Sequence, residues 1–150
     1  MLLPGIPSDV ADSVAGRERE TPDGGREKYV KAHAALTAGT VYKVSHSATG
    51  PVTAAIADGA VFYQVIVPER DVASGEYFWG KIRGFVADAV VPSDTYIALE
   101  GLKVDNGAVV GTNAAYAYSD AEFAYVITAV AVAAKAADIY LVGREILATT

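Results

Sequence analysis

The sequence predicts a mainly β protein, a compact β-barrel, β-tulip-like or sandwich domain preceded by an extended N-terminal arm. Three observations carry that expectation. Runs rich in Val, Ile, Thr, Tyr and Phe recur every 8–12 residues or so, with Gly, Pro and Asp between them, the spacing of short strands in all-β folds. Every Tyr, Phe and Trp lies at or after Tyr29. Residues 1–28 hold instead Pro4, Pro7, Pro22 and a mixture of six acidic and four basic side chains.

The arm is therefore assigned to residues 1–28 and the body to residues 29–150. Asp23-Gly24-Gly25 is a turn or hinge signal, and Ser8 is a candidate N-cap for a short helix to Val14. Two readings of the arm stand side by side. It is a solvated tail, as termini often are. Or it orders on a partner through the apolar anchors Leu2, Leu3, Ile6, Val10 and Val14 and the cations Arg17 and Arg19.

In the body, residues 40–46 alternate after the turn at Thr37-Ala-Gly39. Val61–Val67 is a continuous β-prone run that stops at Pro68. Glu76–Val86 is the longest alternating segment, and Val86–Val91 is readable as strand or helix. Thr95–Leu99 and Leu102–Val104 are short candidates, the second entering the hairpin turn Asp105-Asn-Gly107, with Val109-Val110 returning. Phe123–Val132 and Ile139–Leu147 form an expected closing pair joined by Ala133–Ala137. Alanine favours helix, but the β-branched residues interleaved through Val126–Val132 favour strand.

Composition narrows the function. A chain of 150 residues is one domain of ordinary size, long enough to bury a real core. Its net charge of −6 argues against nucleic acid as a direct partner, because phosphate binding needs clustered Lys and Arg. The absence of cysteine removes disulfides, zinc–thiolate sites and thiol nucleophiles together. The opening Met-Leu-Leu-Pro-Gly-Ile-Pro lacks the basic region and long apolar run of a secretory signal. The apolar stretch Val126–Ala134 is about half the length a bilayer span requires, so no membrane partner is expected.

No catalytic, cofactor-binding or metal-ligating set emerges. His33 and His46 fall on adjacent expected strands, but two imidazoles without a carboxylate partner make a weak metal site. Ser45 and Ser47 flank His46, yet neighbours on a strand point to opposite faces, and no Gly-x-Ser-x-Gly elbow exists. Glu69 and Asp71 after Pro68 read as a solvated loop rather than a carboxylate pair. The glycines between Gly101 and Gly111 lack the lysine and the strand–helix context of a nucleotide loop.

The best interaction surface is on Glu76–Val86. Alternation puts Tyr77, Trp79, Lys81, Arg83 and Phe85 on one face and Phe78, Gly80, Ile82, Gly84 and Val86 on the other. The second set is small and apolar, suited to a core. The first mixes aromatics with cations, as binding hot spots do. It equally fits a barrel wall whose Lys81 and Arg83 reach out to water.

Four phrases, in order, resemble the capsid decoration (cement) proteins of tailed bacteriophages. They are Leu36-Thr-Ala-Gly-Thr-Val-Tyr-Lys-Val44, Phe78-Trp-Gly-Lys-Ile-Arg-Gly-Phe-Val86, Leu102-Lys-Val-Asp-Asn-Gly-Ala-Val-Val-Gly111 and Ala136-Ala-Asp-Ile-Tyr-Leu-Val-Gly143. The resemblance covers roughly residues 29–147. It implies a compact β body, no enzymatic activity and no cofactor. It further implies attachment to the major capsid protein on the outer surface of the virion, after assembly in the host cytoplasm. Clustering with copies of itself, as a homotrimer or similar group, follows from the same resemblance, as does an arm that reaches across the shell. The charged arm and the Val61–Val67 segment with its Pro-Glu-Arg-Asp loop depart from the family pattern. The alternatives are another β-rich virion component, such as a tail tube or head-completion protein, and a small β-barrel ligand binder.

Overall fold

The computed structural model describes residues 7–8, 11, 13–56, 62–105, 107–115, 122–143 and 145–147, and among these it has strands and no helix. The strands are β1 (Glu18–Glu20), β2 (Arg26–Lys31), β3 (Tyr42–Ser47), β4 (Gly50–Ala55), β5 (Phe62–Ile66), β6 (Tyr77–Tyr96), β7 (Glu100–Asp105), β8 (Ala108–Ala115), β9 (Glu122–Val126), β10 (Val130–Val142) and β11 (Glu145–Leu147). Their hydrogen-bonded order is β11-β5-β3-β4-β2-β6-β10-β9-β7-β8, with β1 attached to β2. The mainly β expectation is met.

The path curls. An isolated bridge joins Val67, just after β5, to Lys81 in β6, with N–H···O distances of 2.9 Å in both directions. The bridge returns the path to β6, so β2, β4, β3, β5 and β6 make a ring. Its interior is Val30, Leu36, Val44, Ile66, Val72, Phe78 and Ile82. Gly80 lies between the last two because a Cβ there would fall 2.5 Å from Ile66 Cγ1. A second core lies beyond the ring, built from Val86, Ala89, Val91, Leu102, Val104, Phe123, Ile139 and Leu141. β5 and the residue after it feed both by alternation: Ile66 belongs to the first, and Tyr63, Val65 and Val67 to the second.

β6 is the common wall, and two irregularities let one long strand serve both cores. Its pairing with β10 shifts between Val86 and Ala89, where Asp88 has φ of 50°, a position in the left-handed region. It shifts again between Val90 and Asp94, around Pro92, which has no N–H to give to a ladder. The segment Val86–Val91 is therefore strand, interrupted by a bulge.

Three expectations are corrected. The mixed-charge residues 18–28 are not an arm but belong to the sheet. β1 and β2 form a hairpin about Asp23-Gly24-Gly25, and each of its register pairs joins opposite charges: Glu18 with Lys28, Arg19 with Glu27, Glu20 with Arg26. Ser8 caps no helix. It exchanges backbone hydrogen bonds with Tyr77, at 3.1 and 2.6 Å, while residues 9, 10 and 12 lie outside the described residues. The closing pair does use Ala124–Val126 against Ile139–Leu141, but the alanine-rich link is no connection. It is the first half of β10, hydrogen-bonded along β6 as far as Tyr96.

Candidate interaction surface

β6 alternates as the sequence predicts up to the bulge: Phe78, Gly80, Ile82, Gly84 and Val86 are all buried. The opposite face divides into two groups. Tyr77, Trp79 and Lys81 are engaged within the molecule, whereas Arg83 and Phe85 are exposed.

The first group is covered because β2 lies beside it. Tyr29 stands opposite Trp79 in register, with ring centroids 5.1 Å apart, and stacks on Tyr77 at 5.8 Å. The Arg19 guanidinium caps this series 4.1 Å from the Trp79 ring, and Lys31 Nζ lies 5.4 Å from the Tyr77 ring at the other end. Arg19 is fixed in turn by Glu27, Nε to Oε2 2.7 Å, on a carboxylate that is itself buried. Arg19 was expected to be an arm residue that touches a partner; here it is a clamp.

Lys81 does not reach out to water. It is 5% exposed, and its Nζ donates to the Phe85 carbonyl at 3.1 Å. Glu69 Oε1 lies 3.1 Å away and Asp23 Oδ2 3.5 Å away. Two loops distant in sequence, the β1–β2 turn and the β5–β6 connection, thus converge on one buried cation at the edge of a cleft of about 240 Å³. The Asp23 carboxyl is held below the ordinary carboxylate range. The main cause is the Thr21 hydroxyl that donates to it; burial opposes this, and the Gly25 N–H and Lys81 add to the lowering. Such an arrangement fastens strands together.

The second group opens a different surface. Phe85 is 42% exposed. It begins a cross-strand row: Phe85 pairs with Tyr140, Tyr140 with Tyr125, and Tyr125 with Gly101. The Tyr125 and Tyr140 rings stack at 5.4 Å. Arg83 lies beside this row, its stem over Gly143, where a Cβ would meet Arg83 Cβ at 2.8 Å. Sequence reasoning found Arg83 and Phe85 but missed the two tyrosines. Alternation in Ile139-Tyr-Leu141 sets Tyr140 opposite two buried aliphatic residues, but in Phe123-Ala-Tyr125 it puts Tyr125 on the side of buried Phe123, so only the register places both tyrosines beside Phe85.

The remaining candidates have structural partners. His33 Nδ1 is 2.9 Å from Thr53 Oγ1, and His46 is exposed opposite Pro51. Ser47 Oγ donates to the Gly50 carbonyl in the β3–β4 turn. Asp71 Oδ1 accepts the Ala38 N–H at 2.9 Å, so Glu69 and Asp71 brace different loops. No described group of three or more His, Asp and Glu side chains could hold a metal ion. No helix among the described residues is long and apolar enough to cross a membrane. Of the expected arm contacts, Val14 is 74% exposed and Arg17 is exposed; Leu2, Leu3, Ile6 and Val10 lie outside the described residues.

The fold and this surface define a class: a small all-β domain whose buried polar side chains brace strands and whose open sheet face carries an aromatic row. Its fold is similar to that in the crystal structure of the head fiber gp8.5 N base of bacteriophage phi29. The TM-score is 0.51 at 13% sequence identity, and the match covers 80% of this chain and 96% of that one. No protein-family model matches the chain, and no curated protein matches it in sequence.

Proposed function

We propose that this protein is a non-enzymatic structural component of a phage virion that attaches to the outer surface of the capsid. One observation carries the reading: the likeness in fold to the base of a phage head fiber, which extends over nearly the whole of that base. The chemistry of the chain agrees. Lys81, Arg19 and Glu27 fasten strands and loops to one another, His33 bonds Thr53 and Ser47 the β3–β4 turn.

In this role the partner is the major capsid protein. Many copies, each adding modest binding energy, raise the strain that a shell withstands. If the full binding site exists only on the expanded lattice, binding shifts the shell toward that state by linkage. The test is co-sedimentation of the full chain with empty expanded capsids and with unexpanded procapsids, counting bound copies per major capsid subunit. Saturation at a fixed lattice ratio, tighter on expanded shells, is the expected result. Failure to pellet with either shell would overturn the capsid-surface reading, and a copy number limited to a single vertex would point to a head-completion or tail role.

A further inference from the structure

We propose that two copies of this chain associate through the outer face of β6, with Phe85 at the centre and Arg83 of each copy set against Asp88 of the other. The inference does not depend on the virion reading. It starts from two charges that the molecule leaves uncompensated. Arg83 is exposed, stands opposite Arg26 in the β2–β6 register, and has no ionic partner among the described residues. Arg26 itself turns to Glu18 and Glu20 on β1. Asp88 is exposed as well, and its carboxylate likewise has no ionic partner among the described residues. The bulge gives it a φ of 50°, and its backbone N–H donates to Asp138 Oδ1 at 3.1 Å, so a second carboxylate lies next to it. Asp88 also borders a cleft of about 400 Å³ whose rim includes Gly39 and Glu69. Glu69 is already paired with Lys81, so the uncompensated charge on that cleft is the Asp88 carboxylate, which a guanidinium fits.

Along β6 the order is therefore cation, aromatic ring, anion. Arg83 and Phe85 are two residues apart on one face, about 7 Å, and Asp88 follows at about 10 Å. Such a stripe complements itself only when reversed. In a parallel arrangement Arg83 would meet Arg83. In a twofold arrangement Phe85 packs on Phe85, and each Arg83 enters the other copy's acidic cleft. The stacked Tyr140 and Tyr125 widen the apolar centre beside Phe85, giving the aromatic core and charged rim of a specific interface.

The experiment is sedimentation equilibrium of the full chain over a concentration series. Wild type is expected to fit a monomer–dimer equilibrium. Phe85→Ser, Arg83→Glu and Asp88→Lys should each weaken it by about tenfold or more, with circular dichroism showing that each variant is folded. The decisive step mixes the Arg83→Glu and Asp88→Lys proteins. Across a twofold contact the carboxylate introduced in the first meets the ammonium introduced in the second, while Asp88 of the first meets Arg83 of the second. The mixture should therefore dimerise better than either variant alone. Wild type that stays monomeric throughout would overturn the proposal. So would an oligomer that Phe85→Ser leaves intact, or a mixture no better than its components.

Discussion

The two halves of β6 carry similar side chains to opposite ends. From Tyr77 to Lys81 the outward aromatics and cation are covered by the β1–β2 hairpin and become a clamp. From Arg83 onward the same pattern is exposed, because the rings, guanidinium and carboxylates that cover Tyr77 to Lys81 end there and nothing described lies over Arg83 and Phe85. The two cores differ accordingly. The ring holds few residues and is braced from outside by ionic and cation–π contacts. The second core is larger, mostly aliphatic with Tyr63, Tyr96 and Phe123 among its members, and its cation–π contact is Lys43 over the Tyr63 ring at 5.6 Å. An outward aromatic–cation strand is thus a binding surface or a girdle depending on whether another strand is free to lie against it.

The first way to break this comparison is to empty each core. Phe78→Ala in the ring and Leu102→Ala in the second core should each cost about 3–5 kcal/mol in urea denaturation. Both should lower a single transition, since β5 and β6 run through both cores. Two separate transitions would show that ring and extension fold independently.

The brace itself gives the next effect. In Lys81→Met the half-exposed carboxylates of Asp23 and Glu69 turn to water, and a side chain of similar volume fills the site. In the double variant Asp23→Asn, Glu69→Gln, a buried ammonium is left with the Phe85 carbonyl as its main partner. The double variant should therefore lose more stability, about 2 kcal/mol, and Lys81→Met less than half of that. Acid should act in the same direction. Asp23 has a folded pKa below its unfolded one, so its contribution is present above about pH 4 and is lost as pH falls through the folded value. Equal losses in the two variants, measured by urea melts at pH 7, would show that Lys81 is not the hub.

Much of this fold was legible, for a plain reason. Alternation and turn residues are local signals, and they marked β3, β5, β7 and the first half of β6. The hairpin at Glu18–Lys28 was not legible as structure. Its partners are charges, and Glu-Arg-Glu followed by Arg-Glu-Lys reads as a solvated stretch until the register pairs them. β10 was split because its alanines favour helix and carry no outward-facing pattern; its pairing with β6 decided the matter. At the candidate surface, Arg83 and Phe85 were readable from period two. The burial of Lys81 was not, since it depends on Asp23 and Glu69 arriving from elsewhere in the chain.

A smaller effect sits where the two cores meet. The Tyr63 hydroxyl is buried and has no hydrogen-bond partner among the described residues, and burial pushes its pKa up to about 12. Because the folded value lies above the unfolded one near 10, folding is favoured below pH 10, and that advantage falls as pH rises toward 12. Tyr63→Phe should be neutral or stabilising by up to about 1 kcal/mol at pH 7. It should also remove a loss on the order of 2 kcal/mol between pH 10 and 12. A variant that melts lower at pH 7 would mean that the hydroxyl has a bound water.

The smallest change tests the bulge that separates the two halves. Asp88 sits at positive φ with its N–H donating to the Asp138 carboxylate, a conformation that costs most residues about 1–2 kcal/mol and asparagine less. Asp88→Asn keeps the backbone hydrogen bond and suits the positive φ better, so the monomer should gain a few tenths of a kcal/mol in thermal melts. The same substitution takes away the anion proposed to receive Arg83 of the second copy, so association should weaken. The two readouts move in opposite directions, which is the signature of a residue kept for its surface at the expense of its strand. A variant that lost stability and association together would instead make Asp88 a structural part of the bulge, and the contrast between clamp and surface would then have to rest on Arg83 and Phe85 alone.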